Sequence, residues 1–231
     1  MQDFTRYQRQ VLLKEWGPAA QSKLAAARIL VVGAGGLGCP ALQYLTAAGA
    51  GTLGIVDPDR VAVTDLHRQI LYTEADLGAL KVDCAATALR RLNPGVKVQT
   101  YPRRFSPDLL SEYDVVLDAS DNFETRYLVD DACAALGMPL VYGSVFRFEG
   151  QVSVFHWGSQ PSSYRDLFPD AAEVPSCEEA GVLGVVPGII GSLQALEALK
   201  IVTGVGRPLA GRLLTYQALH NRFYEITLAC R

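Results

Sequence analysis

The stretch "ARILVVGAGGLG", residues 27–38, decides the fold. Ile29 to Val32 form a short apolar run of the kind that makes a buried strand. Gly33, Gly35, Gly36 and Gly38 follow as a G-x-G-G-x-G turn, and the chain continues as the helical segment "CPALQYLTAAG". A second apolar run, "TLGIVD", then closes a strand–helix–strand unit. A unit of this length places its two strands side by side and parallel.

Working outward, "KVDCAATALRRLNP" has helical spacing and stops at Pro94. "VKVQTYP" and "YDVVLDAS" read as a third and a fourth strand, and "RYLVDDACAALG" as a helix closed by Gly137. "PLVYGSVFRFEGQVSVFHW" reads differently, as two strand-like runs meeting in a hairpin near Glu149-Gly150. A helix over 189–202 and two late strands near 212–217 and 222–228 complete the pattern. The expected fold is α/β, with a mixed sheet that is parallel in its first half and antiparallel in its second. One domain is expected: N-terminal helices over 1–27, a nucleotide-binding core over 28–157, a polar, mobile crossover loop over 158–181, and a C-terminal helix with antiparallel strands over 182–231.

The 231 residues are 49% hydrophobic and 19% charged, ample for one core. A net charge of -3 advertises no nucleic-acid surface. Five cysteines without a C-x-x-C pair suit reduced thiols, and the N-terminus lacks the apolar run of a signal peptide; both point to a cytoplasmic protein. The apolar stretch from Val182 to Val202 contains Pro187, Gln194, Glu197 and Lys200. It reads as a buried helix with one polar edge rather than a membrane span.

The glycine turn lets backbone approach a phosphate at a helix N-terminus. Asp57 ends the next strand, 19 residues after Gly38, where a carboxylate can accept from ribose hydroxyls. Asp59 is either a second contact or a turn residue after Pro58. Arg68, Gln69 and Lys81 follow, a cation-rich set better suited to a triphosphate than to a dinucleotide. "VLDASDNFETR", residues 116–126, places Asp118 and Asp121 at the end of a parallel strand. The pair can hold Mg²⁺ through oxygens and waters. Alternatively, Asp121 caps the following helix. Arg6 and Arg9 share one face of a first helix. An NAD-dependent dehydrogenase would explain the glycine turn and Asp57 but not Arg68, Lys81 and Asp121.

Taken together, "RYQRQVLL", "VVGAGGLGCPALQYLTAAGAG", "IVDPDRVAVTDLHRQILY", "GALKVDCAATALRRLNP", "VVLDASDNFETRYLVDDAC", "SCEEAGVLGVVPGIIGSLQALEALKIVTG" and "LLTYQAL" resemble the ThiF/MoeB/HesA family, bacterial relatives of ubiquitin-activating enzymes. The resemblance implies a Rossmann-like, three-layer fold. It implies ATP- and Mg²⁺-dependent adenylation of the C-terminal glycine of a small ubiquitin-like sulfur-carrier protein of thiamin or molybdopterin type, by a homodimer. It makes Asp57 the ribose-binding acid. Gly36, Arg68, Gln69 and Lys81 become nucleotide contacts, Asp121 the Mg²⁺-linked acid, and Arg9 an arginine that reaches into the partner's site; Asn122, next to Asp121, is a further candidate nucleotide contact. Cys177 resembles a crossover-loop cysteine that is acylated in some members; Glu178 and Glu179 beside it would raise a thiol's pKa.

Three departures from the family pattern stand out. Asp65 occupies a position usually held by asparagine, and an acid there disfavours nearby phosphates unless it points away or binds metal. Ser163-Tyr164-Arg165-Asp166 stands where many members carry the first of two zinc-binding C-x-x-C pairs, and Cys230 is alone, so no zinc is expected. Lastly, no sulfurtransferase domain follows, so a separate sulfur donor is expected. A catalytically weakened nucleotide-binding scaffold of the same family is the remaining alternative.

Overall fold

The computed structural model describes residues 4–159, 161–169 and 181–228. One eight-stranded sheet organises them. Its strands are β1 (Arg28–Val32), β2 (Thr52–Val56), β3 (Lys97–Tyr101), β4 (Val115–Asp118), β5 (Leu140–Phe146), β6 (Glu149–Phe155), β7 (Arg212–Gln217) and β8 (Arg222–Thr227), in the order β3-β2-β1-β4-β5-β6-β7-β8. From β3 to β5 neighbouring strands are parallel, and from β5 to β8 they are antiparallel.

The helices are α1 (Gln8–Val11), α2 (Gly17–Ala26), α3 (Gly38–Ala48), α4 (Lys81–Leu92), α5 (Phe123–Leu136), α6 (Tyr164–Leu167) and α7 (Val185–Thr203). The period-two alternation of the central strands builds a core on each face. Ile29 and Val31 of β1, Val115 and Leu117 of β4 and Val141 of β5 join α3, α4 and α7 on one side. Leu30, Val32, Val116, Leu140 and Tyr142 face the other side, with Val129 and Cys133 of α5 and Tyr164 of α6. Three layers result, as expected.

Two details differ from the sequence reading. The hairpin turns at Arg147 and Phe148, not at Glu149-Gly150: Phe146 pairs with Glu149, and Arg147 takes a positive φ of 53°. Within 158–181, a mobile loop by its polarity, residues 161–169 form a docked segment. Tyr164 is buried among Tyr127, Tyr142, Phe155 and Phe168. His156 Nε2 lies 2.8 Å from Asp130 Oδ1, which also accepts the Tyr164 N–H at 3.0 Å.

Helix α7 is long and apolar enough by length and composition to cross a membrane. Half of it is nevertheless buried inside the fold. Its buried polar groups bond inward: Gln194 Nε2 donates to the Asp118 carbonyl at 2.7 Å, and Glu197 accepts the Leu209 N–H at 2.8 Å. Gly191 presses on Leu37, the residue before α3, so closely that a Cβ would lie 2.2 Å from the Leu37 carbonyl oxygen.

Candidate active site

In the strand order, β1 lies between β2 and β4, so the chain leaves β1 towards one side of the sheet and leaves β4 towards the other. Open parallel sheets bind ligands at that divergence, beyond the carboxyl ends of the strands. A cleft of about 320 Å³ lies there, within the range of small-molecule sites. Gly33, Gly35, Gly36, Asp57, Asp59, Asp65, Arg68, Gln69, Lys81, Asp121 and Asn122 line it.

The glycines divide their work. At Gly33, with φ 98°, a Cβ would lie 2.6 Å from the Ala119 carbonyl oxygen; at Gly38 it would lie 2.0 Å from that of Gly33. These two glycines let the turn close on itself, and Gly38 lies beneath the cleft at the start of α3. Gly35 has room, its nearest neighbour being Gln69 Nε2 at 3.7 Å, and it faces the cleft. The turn is pinned at Ala34. The Ala34 N–H donates to Asp57 Oδ2 at 2.8 Å, and its carbonyl accepts from Tyr72 Oη at 2.7 Å and Cys39 Sγ at 3.4 Å. Burial pushes the Cys39 thiol up to about 12, so it packs as a neutral group.

Asp57 Oδ1 accepts the Asp59 N–H at 2.8 Å. Burial raises the Asp57 pKa, against the pull of the Ala34 and Asp59 N–H groups and of Lys81. Lys81 opens α4 and is buried to 7% exposure. Its Nζ lies 3.4 Å from Asp59 Oδ2 and 3.6 Å from Asp65 Oδ2. Burial lowers its pKa, but Asp57, Asp65 and Asp59 more than compensate, and the net shift is upward. The ammonium therefore stays charged.

Asp65 neither points away into solvent nor leaves the cleft. Its Oδ1 accepts from Gln69 Nε2 at 2.8 Å and from Arg68 Nη2 at 3.3 Å, and its Oδ2 accepts the Ala62 N–H at 3.0 Å. One carboxylate thus gathers the whole cationic and amide set.

Asp118 and Asp121 do not form a pair in the cleft. Asp118 is 1% exposed, and its Oδ1 accepts the Ser120 N–H at 2.9 Å and the Ser120 hydroxyl at 2.6 Å. Burial raises its pKa, with the Arg126 charge opposing. Bonded to Ser120 in this way, it supports the loop from within the fold. Nor is Asp121 the helix cap: Asn122 caps α5, its Oδ1 accepting the Thr125 N–H at 2.9 Å. Asp121 stays exposed, with Asn122 Nδ2 on one oxygen at 3.2 Å.

Arg9 is exposed and outside the cleft of its own chain. Cys177, Cys230 and the crossover segment around Cys177 lie outside the described residues. Ser163 and Asp166 form a capping box at α6: Ser163 Oγ accepts the Asp166 N–H at 3.1 Å, and Asp166 Oδ2 accepts from the Ser163 N–H at 2.8 Å. Sequence reasoning missed four residues that line the cleft, Arg103, Arg104, Phe105 and Arg126. The first three follow the carboxyl end of a parallel strand, the position that had already singled out Asp121.

A model of the ThiF family matches residues 7–231. The chain belongs to the ThiF family. Among curated ThiF-family relatives, the sulfur carrier protein adenylyltransferase of Thermus thermophilus is 51% identical over 98% of this chain and 88% of its own length. Adenylyltransferase and sulfurtransferase MOCS3 of Sus scrofa is 50% identical over 99% of this chain and 52% of its length, so the chain spans about half of that relative. Among solved structures, Escherichia coli MccB superposes with a TM-score of 0.87 over 100% of this chain and 71% of its own, at 17% identity. PaaA superposes with a TM-score of 0.82 over 97% and 73%, at 22% identity. At these identities the structures share the fold alone, a Rossmann-like mixed sheet.

Proposed function

We propose that this chain adenylates the C-terminal glycine of a small ubiquitin-like sulfur-carrier protein, using ATP and Mg²⁺. The observation that carries the reading is one cleft containing a glycine turn, a ribose-side carboxylate, the cations Arg68 and Lys81 among others, and an exposed carboxylate, in a ThiF-family chain. The carrier carboxylate attacks the α-phosphorus. The bond from that phosphorus to the bridging oxygen breaks, pyrophosphate leaves with the electron pair, and an acyl-adenylate forms. The protein's task is positioning and charge stabilisation.

Asp57 sits where it can meet the ribose hydroxyls. Arg68, Gln69 and Lys81 offer N–H groups to phosphate oxygens. Asp121 is exposed and would hold Mg²⁺, whose charge would neutralise the departing pyrophosphate. A hard cation prefers such an exposed carboxylate oxygen with waters, and Asp121 fits that preference better than the buried Asp118. Conversion of the activated end to a thiocarboxylate draws on a separate sulfur donor in this reading. The test is intact-mass analysis of a glycine-ending carrier incubated with the protein, ATP and Mg²⁺. The expected product is a carrier heavier by one adenylyl group, absent when the terminal glycine is removed. An unmodified carrier across candidate carriers of both thiamin and molybdopterin type would count against the reading.

A homodimer completes the proposal. Arg9 lies outside its own cleft, and Leu12 and Leu13 beside it are 68% and 56% exposed. Mixing Arg9→Ala chains with Lys81→Ala chains should restore part of the activity, since one mixed site keeps both residues. No recovery in a verified heterodimer would assign Arg9 to its own subunit or remove it from the chemistry.

A further inference from the structure

We propose that Asp65 is a positioning residue that acts as an internal counter-anion: it holds Arg68, Gln69 and Lys81 in line and competes with pyrophosphate for them. The proposal rests on the adenylation reading, because it names what that same site does after the phosphates arrive. Asp65 is 6% exposed and lines the cleft. Its two oxygens accept three hydrogen bonds, from Gln69 Nε2 and Arg68 Nη2 on Oδ1 and from the Ala62 N–H on Oδ2, and Oδ2 also faces Lys81 Nζ as an ion pair at 3.6 Å. Both oxygens are thereby engaged. Its carbonyl also accepts the N–H groups of Arg68 at 3.0 Å and Gln69 at 2.9 Å, so the same residue fixes the backbone that presents those side chains.

The ion pairs are long. Arg68 and Lys81 stand 3.3 Å and 3.6 Å from Asp65, against roughly 2.7–2.9 Å for a close charge-assisted bond. The cations are steered without being fully engaged. Arg68 Nη1 donates to the Thr64 carbonyl at 2.7 Å, which fixes the guanidinium from the other side. Lys81 is shared further with Asp59. The cations on this side of the cleft therefore meet three carboxylates, Asp57, Asp59 and Asp65, before any phosphate enters. A phosphate must draw N–H groups towards itself against that field, and once pyrophosphate has formed the same field helps to expel it. An asparagine would serve the Gln69–Arg68 edge or the Ala62–Lys81 edge, but not both, and would carry no charge.

Calorimetric titration of inorganic pyrophosphate and of ATP into wild type, Asp65→Asn and Asp65→Glu tests this. Removing one negative charge near two phosphate-facing cations should tighten pyrophosphate binding about fivefold in Asp65→Asn, the scale of one solvent-screened ion pair. Asp65→Glu should show no tightening. In pyrophosphate exchange, KM for pyrophosphate should fall while kcat does not rise. A purely structural anchor predicts the opposite sign, weaker binding and a raised KM. Weaker or unchanged pyrophosphate binding in folded Asp65→Asn overturns the proposal. Should that variant not fold, Asp65→Ser removes the same charge, with the same expected and contrary results. Wild type that binds neither ATP nor pyrophosphate would overturn the adenylation reading and this proposal with it. Tightening in a protein that modifies no carrier would support the role of Asp65 and count against adenylation alone.

Discussion

Asn122 Oδ1 accepts the Thr125 N–H at 2.9 Å, so the residue beside Asp121 is the one that caps α5. The two neighbours can therefore be separated by mutation. Asn122→Ala should cost about 1 kcal/mol, the usual loss of a good cap. Asp121→Asn should leave thermal unfolding within ~0.5 kcal/mol, as expected for an exposed position outside the cap. Carrier-dependent exchange of pyrophosphate into ATP should nevertheless fall by roughly two orders of magnitude or more in Asp121→Asn, the scale of one lost electrostatic group in such a site. Unfolding and exchange measured on the same preparations check both halves. Exchange within a few-fold of wild type would remove Asp121 from the metal role.

The glycine turn makes a second contrast. Gly38→Ala forces a Cβ to within 2.0 Å of a backbone carbonyl and should destabilise the fold by more than ~3 kcal/mol, at the severe end of core overpacking. Gly35→Ala meets nothing closer than 3.7 Å, so it should fold normally and lose ATP affinity. Thermal unfolding of the two variants, with ATP titrated into Gly35→Ala, reads the difference. A stable Gly38→Ala protein would contradict the packing described here.

Asp57 predicts a pH dependence opposite in sign to that of an ordinary paired carboxylate. Burial raises its folded pKa, so the folded state holds this proton more tightly than the unfolded chain. The contribution of Asp57 to stability is therefore present at low pH and lost as pH rises through the folded pKa. Ribose binding needs the ionised form and should weaken on acidification at a pH above the free aspartate value of about 3.9. Adenosine, which has no phosphate to titrate, is the probe. Its affinity should decline before acid unfolding begins; affinity unchanged down to the unfolding transition would argue against Asp57 as the ribose contact.

Zinc gives a fourth expectation. Ser163 and Asp166 spend their polar atoms on a capping box, and Tyr164 fastens the segment to the aromatic core. Metal analysis of the purified, tag-free protein should find zinc far below one per chain. A stoichiometric zinc that survives dialysis against a chelator would contradict this.

What could be read from the sequence follows from how local each signal is. Ile29 to Val32 and Val115 to Leu117 show a buried run whatever surrounds them, and the glycine turn marks the carboxyl end of β1. The hairpin was misplaced because Gly150 looks like a turn residue. It is glycine for another reason: a Cβ there would lie 2.3 Å from Ile190 Cγ1 of α7, a contact 40 residues away in sequence. The actual turn uses Arg147 and Phe148, neither a turn former. Asp118 and Asp121 have the same chemistry and differ only in burial, which the tertiary fold sets. Asp121 and Asn122 cap equally well in principle, so the backbone alone decided between them. Asp65 reads as unfavourable beside phosphates because its three donors and the Lys81 ion pair come from a turn and a helix that only folding brings together.

The central claim is tested most directly by exchange of labelled pyrophosphate into ATP, with and without a glycine-ending sulfur-carrier protein. The reaction is reversible at the acyl-adenylate and needs no sulfur donor, so it isolates the proposed step. Label should enter ATP only when ATP, Mg²⁺ and the carrier are all present, and not with a carrier lacking its terminal glycine. Carrier-independent exchange, or none with any candidate carrier in a protein that binds NAD in preference to ATP, would contradict it.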